Sequence, residues 1–125
     1  MSRFETPDVK ALVMAYLGAG QSLPVVSKRP DAVSAPKEFV RVIGTGGQGR
    51  SNRVLQTVQL TIDTYSTSTG KASTAAAEVD ALIQELPSST VPVTAVTGST
   101  PAEMPDPDIA SPRYTATYQL TVRCL

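Results

Sequence analysis

Two phosphate-binding patterns overlap in one stretch of this 125-residue chain. Gly44-Thr45-Gly46-Gly47-Gln48-Gly49 fits G-x-G-x-x-G, and Gly44 to Ser51 fits G-x-x-x-x-G-[KR]-S, a Walker A pattern with Arg50 in place of the lysine. Both patterns hold phosphate only where a strand passes into a helix, because the free amides and positive end of that helix make the site. The residues that follow, from Arg53 on, alternate with period two and are rich in Val, Leu, Thr and Ile, which is the pattern of a strand. Without a helix or the Walker lysine, the stretch is expected to be a flexible hairpin tip and not a nucleotide site. Arg50 and Arg53 make that tip basic, which suits an acidic partner or a nucleic-acid backbone.

Other chemistry-bearing residues lead no further. Glu103, Asp106 and Asp108 look like a small oxygen-ligand cluster, but calcium wants about six oxygens at defined spacing and no EF-hand pattern is present. Asp-Pro-Asp more often shapes a turn, the aspartate bonding its own backbone. Cys124 is the single cysteine, so no disulfide forms within the chain, and its inward strand position suits a buried structural thiol. Histidine is absent, which removes Ser-His and Cys-His nucleophile pairs and imidazole acid–base or ligand chemistry. Nothing in the sequence brings Asp63 and Glu78 together as paired acids. The expectation is a non-enzyme without cofactor or metal.

The elements that position these residues follow from hydrophobic periodicity. Thr6 suits an N-cap, Pro7 a first helical position and Asp8 the positive helix end. Val9, Leu12, Val13, Tyr16 and Leu17 then share one helix face, with Gly18 and Gly20 as stops. A connection over 18–37 contains Pro24, Pro30 and Pro36, with a short strand expected near Leu23–Val26. Glu38–Ile43 is a strand, 44–52 a loop, and Arg53–Tyr65 the longest strand, with Val54, Val58, Leu60 and Ile62 inward and Thr57, Gln59, Thr61 and Asp63 on a wet face. Lys71–Leu86 is a second helix with an alanine-rich stripe, ended by Pro87. A strand is expected near Val91–Val96, with Pro92 at its start. Gly98–Pro112, with four prolines, is expected to be irregular, and Arg113–Cys124 is a cleanly alternating last strand. The order α, (β), β, β, α, β, β predicts one α+β domain over residues 1–125: a mainly antiparallel sheet of four to five strands with two helices on one face. The long loops near 18–37, 44–52 and 98–112 are expected contact surfaces.

Composition narrows the class. The apolar fraction is 41%, and no run approaches the roughly 18 apolar residues of a membrane span. Met1–Glu5 has no hydrophobic stretch, so a secretory signal is not expected there; the chain should be made in the cytoplasm and stay in solution. Eleven basic and eleven acidic residues cancel, which argues against a dedicated nucleic-acid binder. The charges are nevertheless segregated. Lys28, Arg29, Lys37, Arg41, Arg50 and Arg53 face only Asp31 and Glu38 in their segment, while Glu78, Asp80, Glu85, Glu103, Asp106 and Asp108 occur with no base among them. Segregation of this kind permits head-to-tail self-association, or simply makes two solvated surfaces.

Taken together, the chain resembles the tail terminator family of long-tailed, siphovirus-type bacteriophages, especially those of actinobacteria. The resemblance rests on Phe39-Val40-Arg41-Val42 leading into Thr45-Gly46-Gly47, and on the alanine-rich helix Ala72–Leu86. It rests further on Pro105-Asp106-Pro107-Asp108, then Ser111-Pro112-Arg113-Tyr114, and a Thr-rich closing strand ending in Val122-Arg123. The order of elements fits along nearly the whole chain, although the long strand lacks the tryptophan that relatives often carry. The resemblance implies a virion structural protein at the head–tail junction. Its hexameric ring would cap the tail tube, stop tube polymerisation and join the tail to the head connector. Its implied partners are other copies of itself, the tail tube protein and the neck proteins, with DNA passing through the lumen unread. Gly44, Gly46, Gly47, Gly49, Arg50, Arg53, Glu103, Asp106, Asp108 and Arg113 become the expected subunit or partner contacts. The alternatives are another neck or tail-completion protein and, from a different class, a small module that binds protein or nucleic acid through its basic hairpin.

Overall fold

A computed structural model of the chain describes residues 7–28, 38–50, 52, 54–108 and 111–124. Helix α1 runs Val9–Gly20 and starts at Asp8, whose side chain accepts a hydrogen bond from the Ala11 amide at 3.1 Å. Asp8 thus takes the capping role expected of Thr6, which lies outside the described residues. The helix passes through Gly18 and ends only after Gly20. Val9, Val13 and Leu17 are buried, whereas Leu12, expected on the same face, is 38% exposed at its border.

Strands follow at β1 (Val25–Val26), β2 (Phe39–Arg50) and β3 (Leu55–Tyr65), then helix α2 (Thr69–Gln84), a 3-10 turn over Leu86–Ser88, β4 (Val93–Gly98), β5 (Ala102–Glu103) and β6 (Arg113–Arg123). Ser68 caps α2 by accepting from the Lys71 amide at 3.2 Å. Pro87 lies in the 3-10 turn; a proline has no amide proton with which to extend a helix. The six strands form one sheet in the order β1-β2-β3-β6-β4, with β5 pairing β6 alongside β4. Every pairing is antiparallel except β1 with β2, so the sheet is mixed and slightly larger than expected. The α+β class holds.

Alternation decides which face each strand residue takes. Val40 and Val42 of β2, Leu60 and Ile62 of β3, and Ala116, Leu120 and Val122 of β6 form one core with the buried stripes of α1 and α2. Of the inward set expected for β6, Ala116, Tyr118, Leu120, Val122 and Cys124 are buried and Tyr114 is half-buried. Ala72 and Ala76 are fully buried, and such small side chains let α2 lie close on the sheet. Two tyrosines cross-brace the layers: the Tyr16 hydroxyl donates to the Leu82 carbonyl at 3.0 Å, and the Tyr118 hydroxyl to Asp80 at 2.7 Å. Both helices therefore cover one face of the sheet. Among the described residues no helix covers the other face.

Candidate functional site

The glycine run is not the flexible loop expected from its composition. It is the second half of β2, paired to β3 through Gly44↔Leu60, Gly46↔Gln59, Gly49↔Thr57 and Arg50↔Gln56. The register slips between Gly44 and Gly46 and again between Gly46 and Gly49, so each slip adds one residue to β2: two β-bulges. Gly46, Gly47 and Gly49 have φ of +98°, +122° and +80°, which side-chain-bearing residues rarely adopt. At Gly47 a Cβ would also stand 2.6 Å from the Thr57 carbonyl oxygen. The glycines bend and twist an edge strand. Beyond them Asn52 accepts from the Val54 and Leu55 amides at 2.9 and 3.0 Å, and the chain enters β3, not a helix. Among the described residues no helix N-terminus faces the run, as the phosphate motifs require.

At the other end of the same strand lies a cluster that was only half visible in the sequence. After β5 the chain crosses the helix-free face, where it meets Phe39 and Tyr65. These rings stack with centroids 4.4 Å apart and are 1% and 0% exposed. The Tyr65 hydroxyl donates to Asp106 Oδ2 at 2.8 Å, and Asp106 Oδ1 accepts from the Asp108 amide at 2.9 Å. Arg113 lies 6.0 Å over the Tyr65 ring, and its Nε donates to the Met104 carbonyl at 2.8 Å. We call residues 104–108 the strap. Gly98–Pro112 is thus partly ordered pairing (β5) and partly a cover, not irregular throughout.

Asp63, expected on a wet face, is 2% exposed beside this cover. Its carboxylate accepts from Arg41 Nε at 3.1 Å, from Arg41 Nη2, and from the Thr115 hydroxyl at 2.7 Å, with Arg113 Nη1 at 3.7 Å. A carboxylate withdrawn from water persists only with such partners. Arg113 Nη1 also lies 3.9 Å from Asp106, so two arginines and two aspartates neutralise one another. Burial pushes the Tyr65 phenol up from its ordinary pKa, helped by its bond to Asp106 and opposed by Arg113 and Arg41. Arg41, Asp63, Tyr65 and Thr115 were not among the expected site residues. Their signal was their shared odd parity on three strands, which becomes informative once the register is known.

The ten expected contacts therefore divide. Gly44, Gly46, Gly47, Arg50, Glu103 and Asp108 are exposed, and Gly49 is half-buried. Asp106 and Arg113 spend their charges inside the fold. Arg53 lies outside the described residues. Asp106 turns inward, so the three acids of the strap region do not converge, and among the described residues no group of three or more His, Cys, Asp or Glu is placed to share a metal ion.

Between the strap and the hairpin, the helix-free face is a ladder of neutral polar side chains. Thr61 and Thr117 hydroxyls meet at 3.1 Å, and Gln119 Nε2 donates to Gln59 Oε1 at 2.7 Å. Gln59 Nε2 in turn donates to the Thr45 hydroxyl at 3.0 Å. Thr57 and Thr121 form the next pair toward the hairpin. Among the described residues no helix is long and apolar enough to cross a membrane. A comparison with protein-family models and with curated protein sequences finds no match for this chain.

Proposed function

We propose that this chain is a virion structural protein, the tail terminator of a long-tailed bacteriophage. It forms a hexameric ring on the head-proximal end of the tail tube, stops tube growth and offers the head connector a docking surface. The order of elements and the motifs of the sequence resemblance support this reading. The observation that carries it is the division of the sheet into a face under two helices and a face of threonine and glutamine rungs. Such a face can border a channel for DNA, because hydroxyls and amides keep water ordered there without the cations that hold phosphates and release counterions. The arginines at its strap end, Arg41 and Arg113, are matched by Asp63 and Asp106.

Negative-stain microscopy of the purified chain, alone and with tail tube protein, tests the proposal by the appearance of rings. Virions made without the chain should carry overlong or unjoined tails. A chain that stays monomeric at high concentration, with and without tube protein, overturns it. Another ring protein of the neck or tail-completion apparatus would form rings but leave tube length unchanged. The exposed arginines at the hairpin end, Arg50 and Arg123, favour one reading from a different class, a module that binds an acidic partner. That module would bind a polyanion as a monomer.

A further inference from the structure

The two ends of the sheet carry opposite charge. At the hairpin end, Arg50 of β2 and Arg123 of β6 are exposed, and residues 44–56 include no acid. Val54, at the same end, is 41% exposed. At the strap end, a groove of about 380 Å³ opens between Gly70–Glu78 of α2 and the segment that follows α1. Glu38 and Glu78 line it beside the single Lys71, with Leu23 and Ala75 as an apolar floor. Glu38 is held in place by the Ser66 hydroxyl, which donates to its Oε1 at 2.9 Å. Exposed Glu103 and Asp108 add to the negative charge of this end.

The 11 residues of β3 span the distance between these ends, from Leu55 beside the hairpin to Tyr65 beside the groove. At about 3.4 Å per residue that is on the order of 35 Å. One copy cannot bring its own hairpin to its own groove.

We infer that the groove lined by Glu38 and Glu78 receives the arginine-bearing β2–β3 hairpin end of a second copy of this chain. Charge complementarity selects this occupant: two carboxylates to one ammonium among the groove's lining residues, and exposed Arg50 and Arg123 with no acid within residues 44–56 at the hairpin end. Val54 brings an apolar contact for Leu23 and Ala75. The contact joins unlike surfaces, so it is heterologous and propagates head to tail until the rotation closes a ring. The inference rests on the proposed self-assembly and names the surfaces that carry it.

The test is a charge-exchange cycle on exposed positions, Arg50→Glu and Glu78→Lys, singly and combined, with association measured by sedimentation equilibrium at low and high salt. Circular dichroism melts check that each variant folds. Each single reversal is expected to weaken association about tenfold or more, the double variant to regain most of that loss, and added salt to weaken the wild type. Single variants that associate as the wild type does would overturn the contact and leave ring formation standing. So would a double variant no better than the product of the singles. A wild type that never associates would remove both the contact and the ring.

Discussion

The two halves of β2 obey opposite rules although they belong to one continuous strand. From Phe39 to Val42 every residue has a side chain with a task. Val40 and Val42 enter the core, Phe39 stacks on Tyr65, and Arg41 neutralises Asp63. This half is also flanked on both sides, because β1 pairs with Val40 and Arg41. From Gly44 to Arg50 four of seven residues are glycine, the pairing slips twice, and β1 no longer flanks the outer edge. The first half is held by what its side chains touch, the second by backbone angles that only glycine adopts without strain. A bulged, twisted edge is also a poor template for an incoming strand, which keeps a long exposed edge from uncontrolled pairing. The comparison teaches that glycine density here marks a shaped strand.

Phe39→Ala should break the first half most severely. Phe39 is 1% exposed and stacks on Tyr65, so its truncation should cost about 3–5 kcal/mol in urea unfolding. Amide exchange should quicken first at the strap end, around Tyr65 and Ser66. A loss below about 1 kcal/mol would mean that the strap closes the gap freely.

In the second half, the same added methyl group should have opposite effects three residues apart. Gly47→Ala forces a side chain into φ +122° and against the Thr57 carbonyl, at a cost of about 1–3 kcal/mol. Gly44→Ala meets nothing within 4 Å and has no positive φ, so it should be neutral or stabilise by up to about 1 kcal/mol. Equal effects at both positions would sink the double-bulge account. Thermal melts of the two variants are sufficient.

These contrasts also explain which features could be read along the chain. The stripes of α1 and α2 and the alternation of β6 were legible, because hydrophobic period is local and each element displays its own. The second half of β2 was not, because glycine has no side chain with which to alternate. Its strand character comes from pairing with Gln56–Leu60, which the sequence does not display. Asp63 misled for a related reason. Its parity correctly placed it away from the helices, but its burial depends on Thr115 and Arg113, 52 and 50 positions away, and on the strap beside them. Segregated charge was legible as composition. That Arg41 and Asp106 are spent internally, while Arg50 and Glu78 stay at the surface, was legible only in three dimensions.

The smallest expected effect is a pH dependence at the strap end of the sheet, where Tyr65 of β3 pairs with Phe39 in the first half of β2. The folded-state pKa of Tyr65 is raised, chiefly by burial and then by its bond to Asp106. The unfolded phenol ionises near about 10, so below that pH both states keep the proton and stability is unaffected. Above about pH 10 the unfolded state loses its proton first, and stability falls as pH rises toward the folded pKa. Tyr118, buried and bonded to Asp80, and Tyr16, raised by burial and then by Glu85, shift in the same direction, so the wild type should decline through all three phenols. Tyr65→Phe should therefore decline less steeply above pH 10 than the wild type. At neutral pH it should be less stable by about 1 kcal/mol, because Asp106 loses the hydroxyl that it accepts from. Amide exchange at alkaline pH should open the Phe39–Arg41 end before the Gly44–Arg50 end in the wild type, and that order should weaken in Tyr65→Phe. An unchanged slope in the variant would show that the strap does not withdraw Tyr65 from water in solution, and the contrast between the two halves of β2 would then rest on the glycines alone.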